Sequence, residues 1–132
     1  MTGLAAYLAS GIVFASALAA SEAEQVMLPS GLKTHLQEML WDRPGGGLVY
    51  RFRFVAPEFS TEKLDYDLLS SDLEHLCNEF ALPRLSNVGP EPGQVIISLA
   101  DRESEFGVID PDLNQVFEAY SVENGACIWE VF

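Results

Sequence analysis

The chain has only two cysteines, fifty positions apart, and they stand on segments of different periodicity. Cys77 lies near the end of Tyr66–Phe80, where Leu69, Leu73, Leu76 and Phe80 recur at the spacing of one helical face. Cys127 lies in Ala126–Phe132, where Cys127, Trp129 and Val131 alternate with Ile128, Glu130 and Phe132 as on a strand. If the two are bonded, the helix must lie on the sheet face that carries Cys127. That condition removes most of the arrangements open to so short a chain.

Bonding depends on the compartment, and the N-terminus speaks to it. From Leu4 to Ala20 the residues are apolar or small, and no charged side chain precedes Glu22. Ala17-Leu18-Ala19 supplies the small pair a signal peptidase reads, so residues 1–19 are expected to be a signal peptide and 20–132 a single domain. Ser21 and Ala23 offer a second cleavage site, after Ala23. The n-region carries no Lys or Arg, which is unusual for a signal. The alternative is an inner-membrane anchor through residues 4–20, a run near the lower limit for spanning a bilayer. No cysteine adjoins the cleavage site, which excludes a lipid-modified N-terminus. In an exported chain two cysteines normally pair. Closing this loop is worth about 4 kcal/mol in the chain-entropy model. A redox role would call for Cys-x-x-Cys spacing, which is absent.

Charge narrows the partners. Twenty acidic residues against seven basic ones leave a formal net charge of −13, which repels phosphate backbones and anionic lipid. Nucleic acid is not an expected partner.

Along the chain, Val26-Met27-Leu28 is a short apolar run ended by the turn sequence Pro29-Ser30-Gly31. Residues 33–41 fit two periods: Leu32, Leu36, Met39 and Leu40 make a helical stripe, while Thr34, Leu36, Glu38 and Leu40 alternate as a strand. The glycine-rich loop after them and the strand Leu48–Val55 beyond it favour a hairpin. In that strand Leu48, Tyr50, Phe52 and Phe54 share one side, and Arg51 and Arg53 take the other. Ser60 or Thr61 is expected to cap the helix, with Glu62 in its first turn, and Pro83 to stop it. Ser86–Gly93 reads as a loop and Gln94–Leu99 as a buried strand. Phe106–Ile109 reads as a brief edge strand and Gln115–Val122 as a strand. Asn124-Gly125 then marks a tight hairpin to the last strand. The expected fold is α+β and two-layer, one main helix packed on an antiparallel sheet of about five strands in the order ββαβββ.

Catalytic and metal signatures are thin. His35 and His75 sit in no zinc spacing, and there is no nucleophile elbow, phosphate loop or dinucleotide fingerprint. No cofactor is implied and no catalytic residue stands out. Asp110-Pro111-Asp112 opens like a calcium loop, but Gln115 and Ser121 stand where glycine and a bidentate glutamate are needed. Asp101, Glu103 and Glu105, with Asp110 and Asp112, are therefore weak candidates for a cation site, or for the carboxylates of a small hydrolase. The local positive feature is Arg51 with Arg53. With Trp41 and Tyr50 nearby it forms the candidate interaction face.

Several stretches carry a family likeness: Leu28-Pro29-Ser30-Gly31, Arg51-Phe52-Arg53-Phe54-Val55-Ala56-Pro57, Ile97-Ser98-Leu99-Ala100-Asp101-Arg102 with Phe106-Gly107, and Cys127-Ile128-Trp129-Glu130-Val131-Phe132. Together they resemble an uncharacterised family of small exported alphaproteobacterial proteins. The resemblance implies export and the cysteine pair, and no activity. The function expected is a periplasmic, non-enzymatic binding or interaction protein, stapled by one disulfide, whose partner is an unknown protein or envelope component. Membrane contact is expected only if the N-terminal segment stays uncleaved.

Overall fold

The computed structural model describes residues 24–45, 47–62, 64–85 and 92–131. The expected signal or anchor segment, residues 86–91 of the expected loop and Phe132 lie outside the described residues. Among the described residues no helix is long and apolar enough to cross a membrane.

The strands are β1 (Gln25–Met27), β2 (Lys33–Asp42), β3 (Val49–Val55), β4 (Gln94–Ala100), β5 (Gln115–Glu123) and β6 (Ala126–Trp129). They form one six-stranded sheet in sequence order, curled into a half-barrel. Helix α1 (Tyr66–His75) continues through a π-helical stretch, Leu76–Ala81, into α2 (Leu82–Leu85).

This corrects the expected fold on two counts. The sheet is mixed, because β3 and β4 run parallel while every other neighbouring pair is antiparallel. It also has six strands in the order βββαβββ, since Val26 and Met27 join the short edge strand β1. The reason for the parallel pair is the crossover. A twenty-residue helix spans about 30 Å, more than the length of a seven-residue strand. It carries the chain back to the start of β3, where the Gly93 amide donates to the Leu48 carbonyl at 2.8 Å. A strand that begins there can only run the same way as β3.

Further expectations are corrected locally. Asp65, not Ser60 or Thr61, caps α1, accepting from the Asp67 and Leu68 amides. Ser60 instead accepts from the Glu62 amide in a local turn. Pro83 does not stop the helix. The preceding turns are already out of α register, with the Leu82 amide donating five residues back to the Cys77 carbonyl, and the helix runs on to Leu85. Phe106–Ile109 forms a turn, not a strand, and β6 ends at Trp129.

Residues 33–42 are a strand, and a bulge explains their two-period pattern. Leu36 pairs with Phe54, yet Glu38 pairs with Arg53, so Gln37 is the extra residue. Leu36 and Met39 therefore both lie on the helix side, three positions apart. This spacing imitates a helix without being one.

The core lies between the helix and one sheet face, called the inner face here. Tyr50, Phe52, Phe54, Val95, Ile97, Leu99 and Tyr120 meet Leu73, Leu76, Phe80 and Ala81. Phe80 stands edge-on to Phe54 and Phe52, with centroids 5.1 and 6.4 Å away. Burying one such ring is worth roughly 1.5–3 kcal/mol. The Arg84 guanidinium lies over the Phe80 ring, 3.3 Å from its centroid. Cys77 and Cys127 are bonded, with 6.2 Å between their Cα atoms, so the helix is stapled to β6. Asn78, the next residue, accepts from the Cys127 amide at 2.9 Å and occupies that edge-strand donor. Asp72, fully buried, accepts from the Ser30 amide and hydroxyl and ties the β1–β2 turn to the helix. At the other hairpin, Asn124 and Gly125 take φ of 52° and 76°, as a tight Asn-Gly turn requires.

Candidate functional site

Among the described residues no helix lies over the opposite, outer face. Two cross-strand rows floor it: Glu38, Arg53, Ser98 and Phe117 in one, Leu40, Arg51, Ile96 and Ala119 in the next. Its roof is the connection 101–114 between β4 and β5. The base of that loop closes where the Asp101 amide donates to the Asn114 carbonyl and Asn114 Nδ2 donates to Asp101 Oδ2.

Polar clasps hold the roof to the floor at one residue, Ser104. The bulged Gln37 donates to the Ser104 carbonyl at 2.9 Å, and the Ser104 amide donates back to Gln37 Oε1 at 3.4 Å. Arg53, buried, donates to the Ser104 carbonyl and hydroxyl, each at 3.0 Å, and pairs with Glu38. Beyond the clasp, Glu105 to Val108 make a turn closed by the Val108 amide on the Glu105 carbonyl. Gly107 has φ of 83°, which the third position of a type II turn demands. The turn projects Phe106 back over the sheet, where its ring lies 5.4 Å from both the Arg51 and Arg53 guanidinium carbons.

Between roof and floor is a cavity of about 420 Å³. Ile96, Phe117, Phe106, Ile109 and Leu113 give it apolar walls, and Arg51 and Ser98 reach it from the sheet. The two arginines differ in their surroundings. Arg53 is fully engaged by Glu38 and Ser104. Arg51 lies under the Phe106 ring, and among the described residues its buried Nε has no hydrogen-bond partner. A half-buried cation with no ion pair among the described residues favours an anionic guest. The wall is also unusually apolar for an exposed surface: Phe106, Val108, Ile109 and Phe117 are all exposed, Ile109 at 92%.

The expected interaction face is divided by the sheet. Arg51 and Arg53 share the outer face. Tyr50 points the other way and is a core residue at 6% exposure, while Trp41, paired beside it on the inner side, is 62% exposed. The carboxylates named from the sequence do not converge. Asp101 closes the loop base, Asp110 accepts from Arg102 and from the Asp112 amide, and among the described residues no three His, Cys, Asp or Glu are grouped to hold a metal. Gln37, Ser98, Ser104, Phe106 and Phe117 were not read from the sequence as site residues. The Phe106-Gly107 pair was the available signal, since an aromatic before a turn glycine in a polar stretch invites the question of what the ring covers.

Residues 10–132 match a family of unknown function, DUF6497, and the chain belongs to that family. No curated protein and no solved structure matches the chain.

Proposed function

We propose that this member of a family of unknown function is an exported, periplasmic binding protein that catalyses no reaction, and that it recognises its partner with the roofed outer face. The observation that carries the reading is the exposed apolar rim, Phe106, Val108, Ile109 and Phe117, set around Arg51, which has no ion pair among the described residues. Apolar patches ringed by polar residues mark contact sites, and an arginine backed by aromatics is a frequent centre of such contacts. The Cys77–Cys127 bond fits an oxidising compartment. The partner class is a protein or a component of the cell envelope.

Two measurements test this. Mass spectrometry of the protein recovered from periplasm should give the mass of a cleaved chain lacking two thiol protons. A photo-crosslinker placed at Ile109 should yield a discrete adduct that one placed at Glu123, on the far hairpin, does not, and Phe106→Ser should abolish it. Retention in the cytoplasm with free thiols would overturn the export reading. Equal labelling from both positions would overturn the choice of face. A rise in melting temperature with micromolar calcium or zinc would instead favour a cation-binding module.

A further inference from the structure

Resting on the reading of the outer face as the binding face, the geometry points to a ligand class: we infer that the cavity takes a monocarboxylate with an apolar body, its carboxylate on Arg51 and its body between Phe106 and Phe117.

Arg51 and Arg53 stand two residues apart on one strand under the same ring. Arg53 holds the roof, and all the partners that this task requires, Glu38 and Ser104, come from the fold. Arg51 does no such work. Among the described residues nothing accepts a hydrogen bond from it, so its guanidinium faces the cavity without an ion pair. Guanidinium meets carboxylate through two parallel hydrogen bonds, and that match is stronger where water is partly excluded. Ser98, in the row beside Arg51, offers a hydroxyl on the same wall.

The remaining wall defines the rest of the guest. Ile96, Phe117, Leu113 and Ile109 make a continuous apolar stretch of it, with Gln115 and Ser104 also on the lining, so a body that lies on that stretch is apolar. The volume lies within the roughly 300–1,000 Å³ typical of small-ligand pockets. Glu105 and Asp110 line the rim. Asp110 is held by Arg102, while Glu105 adds negative charge at the mouth. That arrangement disfavours dianions such as phosphate monoesters and admits a single negative charge. Two sources present this chemistry, a medium-chain fatty acid and the free C-terminus of a peptide with apolar last residues.

The test is a titration of the full oxidised protein, followed by amide shifts in two-dimensional NMR. The probes are octanoate against octanamide, and an acetylated peptide ending in Leu-Phe as free acid against its C-terminal amide. At least one acid should bind about tenfold to a hundredfold more tightly than its amide, the range expected for one charge-assisted contact. Shifts should centre on Ser98, Phe106 and Phe117. Arg51→Gln should erase the difference between acid and amide, and Arg51→Lys should restore part of it. Ile109→Glu, at a fully exposed position, should weaken acid binding without touching the fold, which covers the case of a misfolded Arg51 variant. Preference for octanoate assigns the lipid-derived source, and preference for the peptide acid assigns the C-terminal one. Equal binding of acid and amide, shifts elsewhere on the surface, or no binding at low millimolar concentration would each overturn the inference. In the last case a crosslink from Ile109 to a partner would leave the binding-face reading standing.

Discussion

The two faces of one sheet are covered in opposite ways. On the inner face a continuous helix lays Leu73, Leu76 and Phe80 against aromatic and branched side chains, and a covalent bond closes the edge. On the outer face a loop is held at Ser104 by hydrogen bonds and leaves a cavity beneath it. Apolar burial is non-directional and fills space, whereas polar clasps fix a few points and leave the rest open. The inner face is therefore where stability resides, and the outer face is where the molecule has room for another.

The comparison can be broken first at the staple. Cys127→Ser should cost about 4 kcal/mol, a drop on the order of 15 °C or more in melting temperature under oxidising conditions. If the melting temperature held, the helix would not depend on the bond, and the inner face would be less decisive than stated. Next is the clasp. Arg53→Ala leaves Glu38 without its partner and Ser104 held by Gln37 alone, and should cost about 2–4 kcal/mol, toward the lower end because Glu38 is partly solvated. Hydrogen exchange should quicken in residues 103–108 well before it does in α1. Equal acceleration in both would show that the two faces are one cooperative unit. Asp72→Asn, which weakens the tie to Ser30, should cost about 1–3 kcal/mol by urea unfolding and loosen β1 alone.

A smaller effect sharpens the inner face through pH. Burial, and then the nearby Glu118 and Glu74 carboxylates, push the Tyr120 phenol well above its ordinary value. Above a pH of about 10 the unfolded chain loses this proton while the folded chain keeps it, so stability must fall as pH rises past that point. Tyr120→Phe should flatten that alkaline decline, and an unchanged slope in urea titrations between neutral and alkaline buffer would refute the assignment. Smallest of all, Ile109→Ala should move stability by less than about 0.5 kcal/mol, because the side chain is 92% exposed.

Much of the inner face was legible because it follows period and propensity. The alternation in Leu48–Val55 separated Tyr50, Phe52 and Phe54 from Arg51 and Arg53, and the stripe through Leu73 and Phe80 gave the helix its inward side. The site was less legible. Tyr50 and Arg51 are adjacent in sequence and were grouped into one interaction face, yet a strand sends adjacent side chains to opposite faces. Phe106–Ile109 reads as an edge strand yet forms part of the roof, because an apolar run carries no mark of whether it pairs or folds over. Gln37 was invisible as a clasp, since a bulge displaces the register without altering the composition.

What the sequence determined by itself was local: the strands at Leu48–Val55, Gln94–Leu99 and Gln115–Val122, the main helix, where Asn124-Gly125 must turn, and which two thiols are available to bond. These depend on interactions within a few residues of one another. Only the tertiary structure decided that β4 runs parallel to β3, that Gln37 and Arg53 hold Ser104, and that Arg51 is left facing a cavity under Phe106. Each of these rests on contacts between residues tens of positions apart, whose meeting depends on how the whole sheet curls and where the helix returns the chain.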